Sequence, residues 1–135
     1  MKHIVIPADK KVIAKGIEPI IALLEDHDSD FKLLNKIELA LDELYTNIAS
    51  YAYEPGTGDI EIDYDLDEET RLLTVVVADR GKAFDPLAKE DPNIALPAQG
   101  RKIGGLGIFI VKQVMDEVSY RREDGKNILT LKKKV

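Results

Sequence analysis

The feature that most constrains this chain is the run Leu72 to Ala78, apolar almost throughout and ending at Asp79-Arg80-Gly81. Such a run reads as a strand. It sets a carboxylate and a glycine where the strand opens into a loop, as a buried acceptor and a close backbone approach would require. Just before it, Ile60, Ile62, Tyr64 and Leu66 alternate with acidic residues, and Asp67 to Thr70 supply a turn. The pair predicts an antiparallel hairpin with one apolar face and one wet acidic face.

The rest of the chain supplies what must cover that face. Phe31 to about Tyr53 carries Leu34, Ile37, Leu41, Leu44, Ile48 and Ala52 at spacings of three and four, after the capping candidates Ser29 and Asp30 and before Pro55, Gly56 and Gly58. Asp9 to Leu24 is also helical in period, with Gly16 and Pro19 predicting a kink or a late start. His3 to Ile6 reads as a short strand. Leu106 to Met115 reads as a helix, followed by strands at Val118 to Arg121 and Asn127 to Lys133 around an Asp124-Gly125 turn. Asp85 to Lys102, with three prolines and no period, is longer than an ordinary connection and reads as a lid or a disordered loop. The order predicts an α/β fold, a mixed or antiparallel sheet with helices on one face, in one domain covering residues 1–135.

Composition narrows the function. A net charge of -6 argues against a nucleic-acid surface, which needs clustered Lys and Arg. With no cysteine and only His3 and His27, thiol chemistry and a Cys/His zinc site have almost nothing to work with. No run approaches transmembrane length and the N-terminus is too briefly apolar for a signal peptide, so the expectation is a soluble, cytoplasmic protein with no membrane and no nucleic-acid partner.

Three groups of residues are candidates for chemistry. Glu43 and Asn47 lie one helical turn apart and flank the core positions. An amide oxygen is a hard ligand for Mg²⁺, and a carboxylate nearby can take a proton from a hydroxyl attacking a phosphate. The same pair also suits two solvated helix polars. Asp79 can accept from the exocyclic amine of a purine, with Gly81 leaving room for the ring, or can simply open an Asx turn. Gly104, Gly105 and Gly107 can present backbone amides to phosphate at a helix N-terminus, or can be a flexible helix start. Arg101 and Lys102 can approach phosphates or remain solvated. No P-loop or dinucleotide fingerprint is present.

Taken together and in order, these blocks resemble the ATPase superfamily of gyrase, Hsp90, histidine kinases and MutL, and within it the small anti-sigma-factor serine/threonine kinases. The matching residues are Asp42, Glu43, Asn47, Ala52 and Tyr53 on the helix, then Asp79, Gly81, Phe84, Asp85 and Pro86. Gly104 to Gly107 and Met115 to Val118 complete the set. Two positions depart: Tyr51 replaces a histidine, and Asn127 stands where a Gly-Thr pair is common.

The resemblance implies a Bergerat-type two-layer α/β sandwich with a mostly antiparallel sheet and a mobile ATP lid. It implies Mg-ATP as cofactor, Glu43 as general base, Asn47 on the metal and Asp79 on adenine. Gly81, Phe84, Arg101, Lys102, Gly104, Gly105, Leu106, Gly107 and Asn127 would complete the nucleotide site. The implied protein is a homodimeric serine/threonine kinase that holds a sigma factor and phosphorylates a small anti-sigma-factor antagonist. The alternative is a nucleotide-responsive module that sequesters a partner and transfers nothing.

Overall fold

The computed structural model describes residues 1–27, 29–88 and 105–135. In chain order it contains β1 (Lys2–Pro7), a 3₁₀ turn (Ile13–Gly16), α1 (Glu18–Glu25), α2 (Phe31–Tyr51), β2 (Asp59–Asp67) and β3 (Leu72–Asp79). A 3₁₀ turn (Pro86–Ala88), α3 (Gly105–Val114), β4 (Glu117–Glu123) and β5 (Lys126–Lys134) follow. The first helix does start late, with Pro19 in its first turn, where a missing N–H costs nothing. Asp30 caps α2, its carboxylate accepting from the Lys32 N–H at 3.4 Å. Most of the segment expected to form a lid lies outside the described residues.

The strands form one sheet in the order β1-β2-β3-β5-β4, and every pairing is antiparallel. β5, not β4, lies beside β3. The reason is in the side chains: β5 buries Asn127, Leu129 and Leu131, whereas β4 exposes Arg121, Arg122 and Glu123, charges that suit a sheet edge. The final hairpin turns at Asp124 and Gly125, with φ of 52° and 77°, the left-handed pair that a two-residue turn requires.

One face of the sheet is buried. Ile60, Ile62, Tyr64 and Leu66 of β2, Leu73, Val75 and Val77 of β3, and Leu129 and Leu131 of β5 join Ile20 and Leu24 of α1, Ile37, Leu41 and Leu44 of α2, and Val111 of α3 in one core. Each such aliphatic side chain contributes about 1.5–3 kcal/mol by leaving water. The other face carries the carboxylates of β2, as its alternation implies. Register then decides where the site lies. Ile60, Asp79, Asn127 and Arg122 occupy one row across four strands on the helix side, so a carboxylate and an amide enter the end of an otherwise apolar layer.

Candidate functional site

Asp79 is 6 % exposed and Asn127 7 %; among the described residues they are the buried polar side chains. Burial of an unpaired carboxylate or amide is costly, and here the two satisfy each other. Asn127 Nδ2 donates to Asp79 Oδ1 at 3.0 Å and to the Lys82 carbonyl at 2.8 Å. Asn127 Oδ1 accepts from the Tyr120 hydroxyl at 2.6 Å and from the Phe84 N–H at 3.2 Å. Every hydrogen-bonding position of the amide is engaged, and the two donors fix which end faces Asp79. The Gly81 N–H adds a second bond to Asp79 Oδ1, at 2.9 Å. Among the described residues nothing donates to Oδ2, the oxygen left to receive a ligand.

The loop after β3 is held from the far side by the end of α2. The Lys82 N–H donates to the Ala52 carbonyl at 3.0 Å, and the Arg80 N–H donates to the Tyr53 hydroxyl at 2.7 Å. Tyr53 in turn donates to the Asp59 carbonyl at 2.6 Å, and its phenol is raised above the usual range, chiefly by burial. The Arg122 guanidinium donates to the Gly81 carbonyl at 2.8 Å. Gly81 therefore does require a close backbone approach, but toward the protein: a Cβ there would overlap the Ala52 carbonyl. The Ala52-Tyr53 pair is a clamp on the Asp79 loop.

Farther back in the C-terminal half of α2, Glu43 and Asn47 meet α3. A Cβ on Gly107 would lie 2.9 Å from Asn47 Nδ2 and 3.1 Å from Glu43 Oε2, so the glycine lets the second helix reach both polar groups. Between Asn47 and Asp79 runs a cavity of about 330 Å³, within the range of ligand pockets. Leu44, Ile48, Val77, Ile108 and Leu129 give it apolar walls; Asn47, Tyr51, Lys82, Phe84, Tyr120 and Asn127 also line it. Asp79 lies in its wall as an acceptor among hydrocarbon, the arrangement a flat heterocycle with an amine edge would fill. Phe84 is 52 % exposed beside it.

Glu43, Asn47, Asp79, Gly81, Phe84, Gly107 and Asn127 are thus brought to one cavity or its margin. Arg101, Lys102 and Gly104 lie outside the described residues, and of Gly105 and Leu106 only the helical backbone is described. Among the described residues no three carboxylate or imidazole groups gather as a metal cage. Asn47 and Glu43 do offer hard oxygens, which suits Mg²⁺, an ion that takes one or two protein oxygens and completes its shell with phosphate and water. Asn127, expected in the nucleotide site from its hairpin position, lines the cavity and holds Asp79 Oδ1. Sequence reading missed Tyr120 and Arg122; their only signal was their place on a strand facing Asn127, and that needed the register.

The model of the family described as the histidine kinase-like ATPase domain matches residues 6–133. The chain belongs to the histidine kinase-like ATPase family. Its curated relatives include the serine/threonine-protein kinase BtrW of Bordetella bronchiseptica, 35% identical over 95 residues, covering 70% of this chain and 66% of that protein. The serine-protein kinase RsbW of Bacillus cereus is 30% identical over 103 residues, covering 73% and 63%. The chain thus spans just under two thirds of the length of these relatives. Among solved structures, the histidine kinase domain of a blue-light activated histidine kinase from Erythrobacter litoralis is similar with a TM-score of 0.56 and 17% identity, covering 90% of this chain and 60% of that one. Acinetobacter baumannii histidine kinase AdeS gives 0.53 and 15%, covering 99% and 68%. At those identities the likeness shows the fold, and it agrees with the five-stranded antiparallel sheet of this histidine kinase-like ATPase domain.

Proposed function

We propose that this histidine kinase-like ATPase domain binds Mg-ATP and phosphorylates a serine or threonine of a small partner protein, acting as an anti-sigma-factor kinase in a partner switch. The observation that carries the reading is a single cavity with Asp79 Oδ2 unclaimed by any described residue and, near its other end, Glu43 and Asn47 against Gly107. The similarity to BtrW and RsbW, both named as protein kinases, favours this reaction over histidine phosphorylation.

When bound, Mg-ATP supplies the γ-phosphoryl group and the charge neutralisation its transfer needs. The geometry supports the following division of roles. Asp79 Oδ2 accepts from the exocyclic amine of adenine, while Oδ1 is immobilised by Gly81 and Asn127. The apolar walls take the ring and exclude water. Asn47 would offer its amide oxygen to the metal, and Glu43 would take the proton of the attacking hydroxyl. Gly105 and Gly107 would offer backbone N–H groups to phosphate at the start of α3, where the helix dipole favours negative charge. Arg101 and Lys102, close to these glycines in sequence, would add positive charge. In this reading residues 1–135 act as one domain in the cytoplasm, as a homodimer, with a sigma factor and an antagonist protein as partners.

The test is Glu43→Gln. It should keep much of the Mg-ATP affinity, being nearly isosteric, yet lose phosphoryl transfer to the antagonist by a factor on the order of 10² to 10⁴. Full transfer by the variant would remove Glu43 as the base. ATP binding without transfer by the unaltered chain would leave a sequestering module.

A further inference from the structure

The outer surface of α1 and α2 carries a second feature, separate from the nucleotide cavity. Phe31, Leu39 and Asp42 fall on one stripe of α2 by helical spacing, and Phe31 is 73 % and Leu39 48 % exposed. Two large apolar side chains held in water on one helix face leave apolar area unburied, which marks interaction surfaces more often than ordinary ones. Leu39 lines a groove between the helices whose α1 side is Ile17, Ile21 and Ala22, with a volume of about 530 Å³.

Every charged side chain lining that groove is a carboxylate: Glu18 and Glu25 from α1, Glu38 and Asp42 from α2. None of the four is in an ion pair with a described residue, although ion pairs occur elsewhere on the surface. Four unpaired like charges around an apolar floor repel one another and are relieved by a cationic partner. A second copy of this chain using the same face would oppose carboxylate to carboxylate across the two-fold axis, so self-association is disfavoured here.

We infer that the α1–α2 groove docks an amphipathic helix of a partner protein, its aliphatic side chains seated along Leu39, Ile21 and Phe31 and its lysines or arginines on the acidic rim. Asp42, which lines the groove, is adjacent in sequence to Glu43, so a partner held there is anchored one residue from the proposed base. The inference does not depend on nucleotide binding. The chemistry is that of a helix in a groove, read by apolar anchors at i, i+3, i+4 and i+7.

The experiment uses the full chain without nucleotide and a designed Leu/Lys amphipathic peptide of about 14 residues, four helical turns. A Leu/Glu peptide of the same pattern is the control. Amide chemical-shift mapping should show the Leu/Lys peptide perturbing residues 17–25 and 31–42, and the Leu/Glu peptide perturbing nothing. Glu18→Lys with Glu38→Lys, both at exposed positions, should weaken binding about tenfold or more, as should Phe31→Ser with Leu39→Ser. Shifts spread over the acidic face of β2 instead, or retained affinity in either double variant, overturn the proposal. So does a fall in oligomeric mass in the Phe31→Ser, Leu39→Ser variant, which would make this face an interface between copies.

Discussion

Asn127 Nδ2 donates to Asp79 Oδ1 across adjacent strands, at 3.0 Å and in direct register. The bond gives an amide in the last hairpin a definite task. The amide spans the gap between β5 and the loop after β3, holding the carboxylate by one oxygen and the backbone of Lys82 and Phe84 by its other contacts. The acceptor expected to choose the base is thereby aimed by a neighbour instead of by its own rotamer.

Asp79→Asn should weaken ATP binding, because the amide can turn a donor toward a site that needs an acceptor. A loss of about tenfold to a hundredfold is expected, the scale of a hydrogen bond to a charged group. Calorimetry with ATP and GTP measures it. Unchanged ATP affinity would remove Asp79 from base recognition.

Asn127→Asp should be worse than its size suggests. It replaces the donor 3.0 Å from Asp79 with a second carboxylate, and two such groups cannot both ionise comfortably. ATP affinity should fall at neutral pH and recover partly in acid, as the pair takes up a proton. Tyr120→Phe removes only the hydroxyl that orients the amide and should cost about threefold to tenfold in affinity. Titrations at two pH values distinguish the cases, and pH-independent loss in Asn127→Asp would refute the charge argument.

Gly107→Ala should disturb the Glu43–Asn47 end of the cavity alone. The added methyl crowds Asn47 and Glu43, so Mg²⁺-dependent ATP affinity and phosphoryl transfer should drop while adenosine binding holds. Asn47→Ala should show the same Mg²⁺ dependence without the steric cause. Equal losses with ATP and adenosine would mean that α3 has shifted as a whole.

Gly81→Ala should act on stability, since its Cβ meets the Ala52 backbone, which cannot rotate away. Overpacking of this kind costs about 1–3 kcal/mol. Thermal unfolding should show a lowered Tm without ligand, and an unchanged Tm would mean that the loop yields.

His27 links stability to pH. The Glu68 carboxylate, 2.9 Å from Nε2, is the main cause holding the imidazole above its ordinary value, helped by the Leu23 carbonyl 2.8 Å from Nδ1. The folded chain binds this proton more tightly than the unfolded chain does. The contribution is therefore full below the ordinary imidazole value of 6.5 and is lost as pH rises through the raised one. Glu68→Gln should lower Tm in mildly acidic buffer and change it little in mildly alkaline buffer. An equal change at both would assign the effect to packing.

The sequence by itself determined the elements and where on them the candidate side chains fall. The period of Phe31 to Tyr53 put Glu43 and Asn47 on one edge of a helix, and the apolar run into Asp79 put a carboxylate at a strand's end, because those are local facts of spacing. The Asp124-Gly125 turn was likewise legible, since its φ values belong to two residues alone. What only the tertiary structure decided is non-local. That β5 lies beside β3, pairing Asn127 with Asp79, depends on which strand's side chains satisfy the buried row. That Gly81 must be glycine comes from Ala52, twenty-nine residues earlier, and that Gly107 reaches Asn47 and Glu43 comes from helix packing across some sixty. Tyr120 and Arg122 carry no motif, and their roles exist because an antiparallel register brings a hydroxyl to the buried Asn127 amide and a guanidinium to the Gly81 carbonyl.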